Sequence, residues 1–143
     1  MADDPGEWRE HQRRAVRAHA EADARQRATE QAAAAELVAW FAAEATRRGL
    51  RTTRLVARSY DGSARYRTRL TGWYVDRSRI RAVDPQGHFY LLTVPASLRA
   101  RFFGAAAEPA AAPLIIGRGG RDGESMPLRD MLTRRLDAGD DWG

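Results

Sequence analysis

Few residues in this chain are of a type and spacing that could do chemistry, and the strongest set is a row of arginines. Between residues 50 and 104 there are eleven Arg against Asp61, Asp76 and Asp84, a local excess of +8 in a chain whose whole net charge is +5. Strand-like alternation places Arg65, Arg67 and Arg69 on one face, with Arg54, Arg58, Arg79 and Arg81 expected on neighbouring strands. Alternate residues of a strand lie about 6.6 Å apart, so these side chains would form a ladder. The planar guanidinium stays charged and grips phosphate or carboxylate through two parallel hydrogen bonds. Like charges facing one another across strands cost stability, which points to an anionic partner. Tyr60 and Tyr74 are candidate stacking surfaces for bases. The plain alternative is a solvated outer sheet face, neutralised by Asp137, Asp140 and Asp141 folding back on it. All 24 basic residues are Arg. A GC-rich coding habit explains that equally well, so position carries the information and residue type does not.

The other chemical candidates are weaker. Gly117 to Ser125 is a glycine-rich loop between an expected strand and an expected helix, a setting in which backbone N–H groups can cradle phosphate. It has neither the P-loop spacing nor the dinucleotide fingerprint, and Ser125 as N-cap with Pro127 in the first turn accounts for its end. His11 and His19 lie about two helical turns apart, too far to chelate one ion together. His88 sits beside Asp84, where an Asp–His pair could move a proton, but no nucleophile accompanies it and a strand-end histidine is the better reading. There is no Cys, hence no disulfide framework, thiolate metal site or thiol nucleophile. No catalytic residue, metal or cofactor is expected. Trp8, alone near the start, is a candidate partner anchor or a staple on its own helix.

The elements that must position the arginines follow from periodicity. Residues 7 to 49 contain no Pro and no Gly before Gly49, and are rich in Ala, Glu, Arg and Gln, which predicts a long helix. Glu10–Arg14, Glu21–Arg25, Asp23–Arg27 and Glu44–Arg48 have the favourable acid-first spacing. Large apolar residues gather in its second half, where Leu37, Trp40, Phe41 and Ala45 make a stripe expected to dock on a core. The first half should project, with a helix-mediated homodimer or coiled coil as its expected use. From Thr53 the period becomes two. Strands are expected at 54–58, 66–70, 79–83 and 88–94, joined by turns at Asp61-Gly62-Ser63 and Asp84-Pro85-Gln86-Gly87. A bulge at Gly72 would bring Tyr66, Thr68 and Leu70 onto the same core as Trp73 and Val75. A short helix from Ser97 to Phe103, a strand at 114–116 and a final helix carrying Leu128, Met131, Leu132 and Leu136 complete the reading.

The expectation is therefore an α+β fold: a long N-terminal helix packed on a four- to five-stranded, mainly antiparallel β-meander with a C-terminal helix. Its organisation is an exposed extension over 1–33, one domain over 34–139 and an acidic tail over 140–143. The first residues lack a secretory h-region and the longest uncharged apolar run is far below a membrane span, so a cytoplasmic, non-membrane protein is expected. The expected function is a small non-enzymatic binding or adaptor protein, its partner an acidic protein; the alternative is a sequence-tolerant nucleic-acid-binding protein using the arginine face.

Overall fold

The computed structural model describes residues 4–117 and 125–142. It opens with one continuous helix, α1, from Pro5 to Arg47. Asp4 starts it by accepting the Gly6 N–H at 3.1 Å, and Pro5 occupies the first turn, where a missing N–H costs nothing. Its 43 residues make a rod about 65 Å long at 1.5 Å per residue. Every residue from Asp4 to Ala32 is exposed. Burial begins at Ala34 and follows Val38, Phe41, Ala42 and Ala45, a stripe of helical period. Trp40, expected on that stripe, stays largely exposed because it lies one residue round the helix from Phe41, at the border of the docked face. Of the four acid–base pairs expected along α1, Glu44–Arg48 is an ion pair at 2.9 Å. Arg47 grips the same carboxylate, and the bonds from Arg47 and Arg48 hold the Glu44 carboxyl down at about 2.

Five strands follow: β1 (Thr53–Ser59), β2 (Arg65–Tyr74), β3 (Arg81–Val83), β4 (Phe89–Leu91) and β5 (Thr93–Val94). Their spatial order is β4-β3-β2-β1-β5, with every pairing antiparallel except β1 with β5. The α+β arrangement with a mainly antiparallel meander is thus observed, and the parallel closure is an addition to it. β4 and β5 stand at opposite ends of this order, yet only Leu92 separates them in the chain. The sheet must therefore roll until its ends meet. Leu92 makes the join, since its N–H donates to the Ile80 carbonyl at 2.8 Å while its own carbonyl accepts the Arg58 N–H at 2.7 Å.

Rolling divides the apolar residues between two cores. Leu55, Ala82, Tyr90 and Leu92, with Leu70, Tyr74 and Ala107 against them, fill the inner face. Trp73, Val75, Val83 and Phe89 point outward onto α1 and onto the C-terminal helix α3 (Leu128–Ala138). The Trp73 ring meets Phe41 edge-on at 5.8 Å, and its N–H donates to the Leu50 carbonyl at 3.1 Å. The change of pattern along β2 therefore needs no swap of faces at Gly72, since Leu70 and Trp73 pack in different cores. The register does slip just before Gly72: from Arg54 to Val56 β1 advances two residues while β2 runs four, from Thr71 to Arg67, so the extra residues lie in β2 opposite Leu55. Gly72 is required by close approach, since an added Cβ would overlap the Val83 carbonyl oxygen on β3.

Beyond the sheet come a short helix, α2 (Leu98–Phe103), and a two-stranded ribbon of β6 (Ile115–Ile116) with β7 (Met126–Pro127), leading into α3. Ser125 is not the cap of α3. Residues 126–127 are held in the ribbon, so the helix starts only at Leu128, whose N–H donates to the Leu114 carbonyl at 2.7 Å. Most of the glycine-rich segment, 118–124, lies outside the described residues, and with it the proposed phosphate cradle. Among the described residues no helix is long and apolar enough to cross a membrane.

Candidate functional site

The β1–β2 hairpin carries the candidate site, and its alternation decides which side chains meet. Leu55, Ala57, Tyr66 and Thr68 are buried, so Arg54, Arg58, Arg65, Arg67 and Arg69 share the outward face. Arg58 stands directly opposite Arg65, and Val56 opposite Arg67. Side chains opposed in this way sit about 5 Å apart at Cβ, so two like charges share one spot of the sheet with no carboxylate paired to either. Arg54 reaches back across the strand to the Thr68 carbonyl at 3.3 Å. Five of the seven arginines predicted for this surface are thus brought to one face.

The other two are placed elsewhere. Arg79 is not in a strand: it sits in the β2–β3 turn at φ 59°, with its guanidinium 5.5 Å above the Tyr74 ring. Arg81 is half-buried and paired with Asp76 at 2.8 Å, so it is committed within the fold. Tyr74 is removed from the stacking candidates as well, because its ring faces inward and its hydroxyl accepts the Val56 N–H at 2.9 Å. Tyr60, at the hairpin tip, remains 72% exposed.

The three carboxylates of this basic segment explain why the ladder is unneutralised. Each is used inside a hairpin turn. Asp61 accepts the Ser59 hydroxyl at 2.7 Å and both the N–H and hydroxyl of Ser63, and these bonds hold its carboxyl down at about 2. Asp76 accepts the N–H groups of Ile80 and Arg81 besides the Arg81 guanidinium. Asp84 accepts the N–H of Gln86 and His88, the His88 ring at 3.1 Å and the buried Tyr90 hydroxyl at 2.9 Å. The Asp84–His88 pair is therefore a turn clasp. The tail acids do not reach the ladder either, contrary to the neutralising alternative: Asp137 lies 3.6 Å from Arg48, and Asp140 pairs with Arg51 at 3.3 Å. Among the described residues no carboxylate comes within ion-pair distance of Arg58, Arg65, Arg67 or Arg69.

Two features went unread in the sequence. α2 runs beside β2 at Tyr66 and Arg67, a stretch that β3, paired only with Trp73 and Tyr74, does not reach. The Ser97 N–H donates to the Tyr66 hydroxyl at 3.1 Å, and the Ala105 N–H donates to the Arg67 carbonyl at 2.8 Å. Gly104 makes that approach feasible, since at φ 84° an added Cβ would stand 2.8 Å from the same carbonyl. No residue of α2 is buried: Leu98, Phe102 and Phe103 are 73%, 69% and 82% exposed. A cleft of about 560 Å³ separates α2 from the hairpin, lined by Arg65 and Arg101 together with Ser63, Tyr66, Ser97 and Leu98. The signal was the composition Leu-Arg-Ala-Arg-Phe-Phe, three large apolar residues and two arginines in a helix too short to bury one side. The second feature is Arg135, which is buried without a carboxylate partner. It donates to the carbonyls of Tyr74 and Gly139, both at 2.8 Å, and its guanidinium lies 4.6 Å from the Trp142 ring centre. Its place between Leu132 and Leu136 on the apolar side of α3 was the clue available.

Trp8, 57% exposed, lies on the projecting part of α1 with His11 and His19, far from the hairpin. Compared with models of known protein families, with curated proteins and with solved structures, the chain matches none.

Proposed function

We propose that this protein is a non-enzymatic binding protein whose ligand is nucleic acid, held through its phosphates by the outward arginines of the β1–β2 hairpin. The observation that supports this reading is the contrast between two sets of arginines in the globular part. Arg47, Arg48, Arg51, Arg81 and Arg135 are committed to carboxylates or carbonyls of the fold. Arg58, Arg65, Arg67 and Arg69 stand side by side, and the acids that could have served them are used in turns. A fold that tolerates such repulsion gains most from a ligand of repeating negative charge. The contacts run to phosphate and ignore base identity, so binding should be sequence-tolerant.

The test is fluorescence anisotropy of a labelled oligonucleotide across a salt series. Each phosphate contact contributes about one unit to the slope of log affinity against log salt, so Arg67→Gln with Arg69→Gln should lower the slope by roughly two, whatever the base sequence. Both positions are exposed, and the unfolding midpoint should stay unchanged. Failure of the unaltered protein to bind even at low salt would remove the reading and return the surface to an acidic protein partner.

A further inference from the structure

Resting on that reading, we infer that the ligand is single-stranded, with unpaired bases stacked on the exposed rings of α2 beside the arginine ladder. The inference starts from an expense the fold has no internal reason to bear. α2 is a six-residue helix that buries none of its side chains, yet three of the six are large and apolar, and all three are more than two-thirds exposed. Single exposed apolar residues are ordinary, whereas a contiguous set beside a charged surface marks an interaction site. These three are not placed at random with respect to the ladder. The backbone of Gly104 and Ala105, immediately after Phe103, lies against the Arg67 carbonyl, and Leu98 lines the same cleft as Arg65 and Arg101. Tyr60, exposed at the hairpin tip, stands just beyond the Arg58–Arg65 pair, at the same end of the ladder on which that cleft opens. Exposed aromatic residues thus lie beside the Arg65 end of the ladder, on the hairpin tip and on α2.

Exposed rings beside a phosphate-binding row separate single strands from duplexes. In a duplex the base faces are already stacked on one another, so a protein ring can touch only edges and backbone unless it unstacks a step. A single strand offers a free π-face at every nucleotide, which any aromatic ring can accept without regard to sequence. The polar cleft, with a guanidinium contributed from each wall, suits a phosphate passing between hairpin and helix. From Arg65 to Arg69 the strand rises about 13 Å, so the footprint is short, on the order of four nucleotides, at the low end for single-strand-binding surfaces. An anionic bilayer would also attract apolar side chains ringed by arginine. The extended row of alternating arginines and the polar cleft favour a linear polyanion over a plane of headgroups.

The experiment compares three probes on the full chain: a labelled oligothymidylate, a hairpin duplex of equal phosphate count, and vesicles of mixed phosphatidylserine and phosphatidylcholine. Each is titrated with the unaltered protein and with the Phe102→Ala/Phe103→Ala variant, whose secondary structure and unfolding midpoint should be unchanged. The expected result is tighter binding to oligothymidylate than to the duplex, and a loss of about 10- to 100-fold on oligothymidylate in the variant, since stacking one or two bases is worth that much. The salt slope and the duplex affinity should not move. Equal affinity of both proteins for oligothymidylate overturns the stacking inference while leaving the ladder reading intact. Absence of binding to both nucleic acids overturns the ladder reading as well. Phe-dependent binding to vesicles with none to oligothymidylate would assign the surface to a membrane and overturn both.

Discussion

Removing the Asp84 carboxylate should be among the most damaging single changes outside the apolar cores. In the β3–β4 turn this side chain, 6% exposed, accepts four hydrogen bonds, of which two amides belong to exposed residues and regain water when the carboxylate is lost. The Tyr90 hydroxyl does not, because Tyr90 belongs to the inner core and is itself buried. Stranding that hydroxyl costs about 1–3 kcal/mol and loosening the turn about 1 kcal/mol more, so Asp84→Ala should destabilise by roughly 3 kcal/mol. The double change Asp84→Ala/Tyr90→Phe removes the stranded group and should cost about 1–2 kcal/mol less than the sum of the two single changes. Urea unfolding followed by Trp fluorescence, with buried Trp73 as reporter, measures all four proteins. The effect should also depend on pH. Burial alone would push the Asp84 carboxyl up, but the bonds from the His88 N–H, the Tyr90 hydroxyl and the His88 ring outweigh it and hold the group below its ordinary 3.8. A folded value depressed in this way contributes stability that is complete above about pH 4 and is lost as pH falls through the folded value. The gap between the unaltered protein and Asp84→Ala should therefore narrow on acidification below that point. A cost under about 0.5 kcal/mol at neutral pH, the level of an ordinary surface change, or strict additivity in the double variant, would refute the reasoning.

Further expectations concern other parts of the molecule. Mild trypsin treatment should cut among Arg13 to Arg27 and leave a folded fragment beginning near residue 33, because every residue from Asp4 to Ala32 is exposed; protection of every site there, read by mass spectrometry, would mean that the arm is packed in a dimer. Gly72→Ala should lower stability by about 1–3 kcal/mol in the same urea assay, since the new Cβ meets the β3 backbone, which cannot swing aside as a side chain would.

Periodicity was enough to read α1, the hairpins and α3, because each buries one stripe against one neighbour and the spacing of apolar residues reports that directly. It was not enough for β2. Leu70 and Trp73 lie out of phase for a single core, and a local kink was the natural repair for a reader who assumes one. The pattern was in fact the record of two cores, which only the pairing of Arg58 with Thr93, thirty-five residues away, brings into being. Long-range closure leaves no mark at short range. The ladder itself was legible for the same reason as the helices, since alternate residues of a strand must share a face. Arg79 was misplaced because composition cannot distinguish a strand residue from a turn residue held at positive φ, and Arg81, correctly read as a strand residue, was counted free because composition cannot tell a free guanidinium from one matched to a nearby Asp76. α2 was found as an element and missed as a surface, since a six-residue segment gives no periodicity from which to tell that none of its sides is buried.

The join at Leu92 bears on how this molecule can and cannot assemble. A sheet ordinarily recruits another chain by adding a strand to its last member, whose backbone groups on one side are free. Here the last members are three and two residues long, they follow one another in a single stretch of chain, and the Ala110 N–H already donates to Phe89 on the far side of β4. The terminal strands therefore offer no template of useful length.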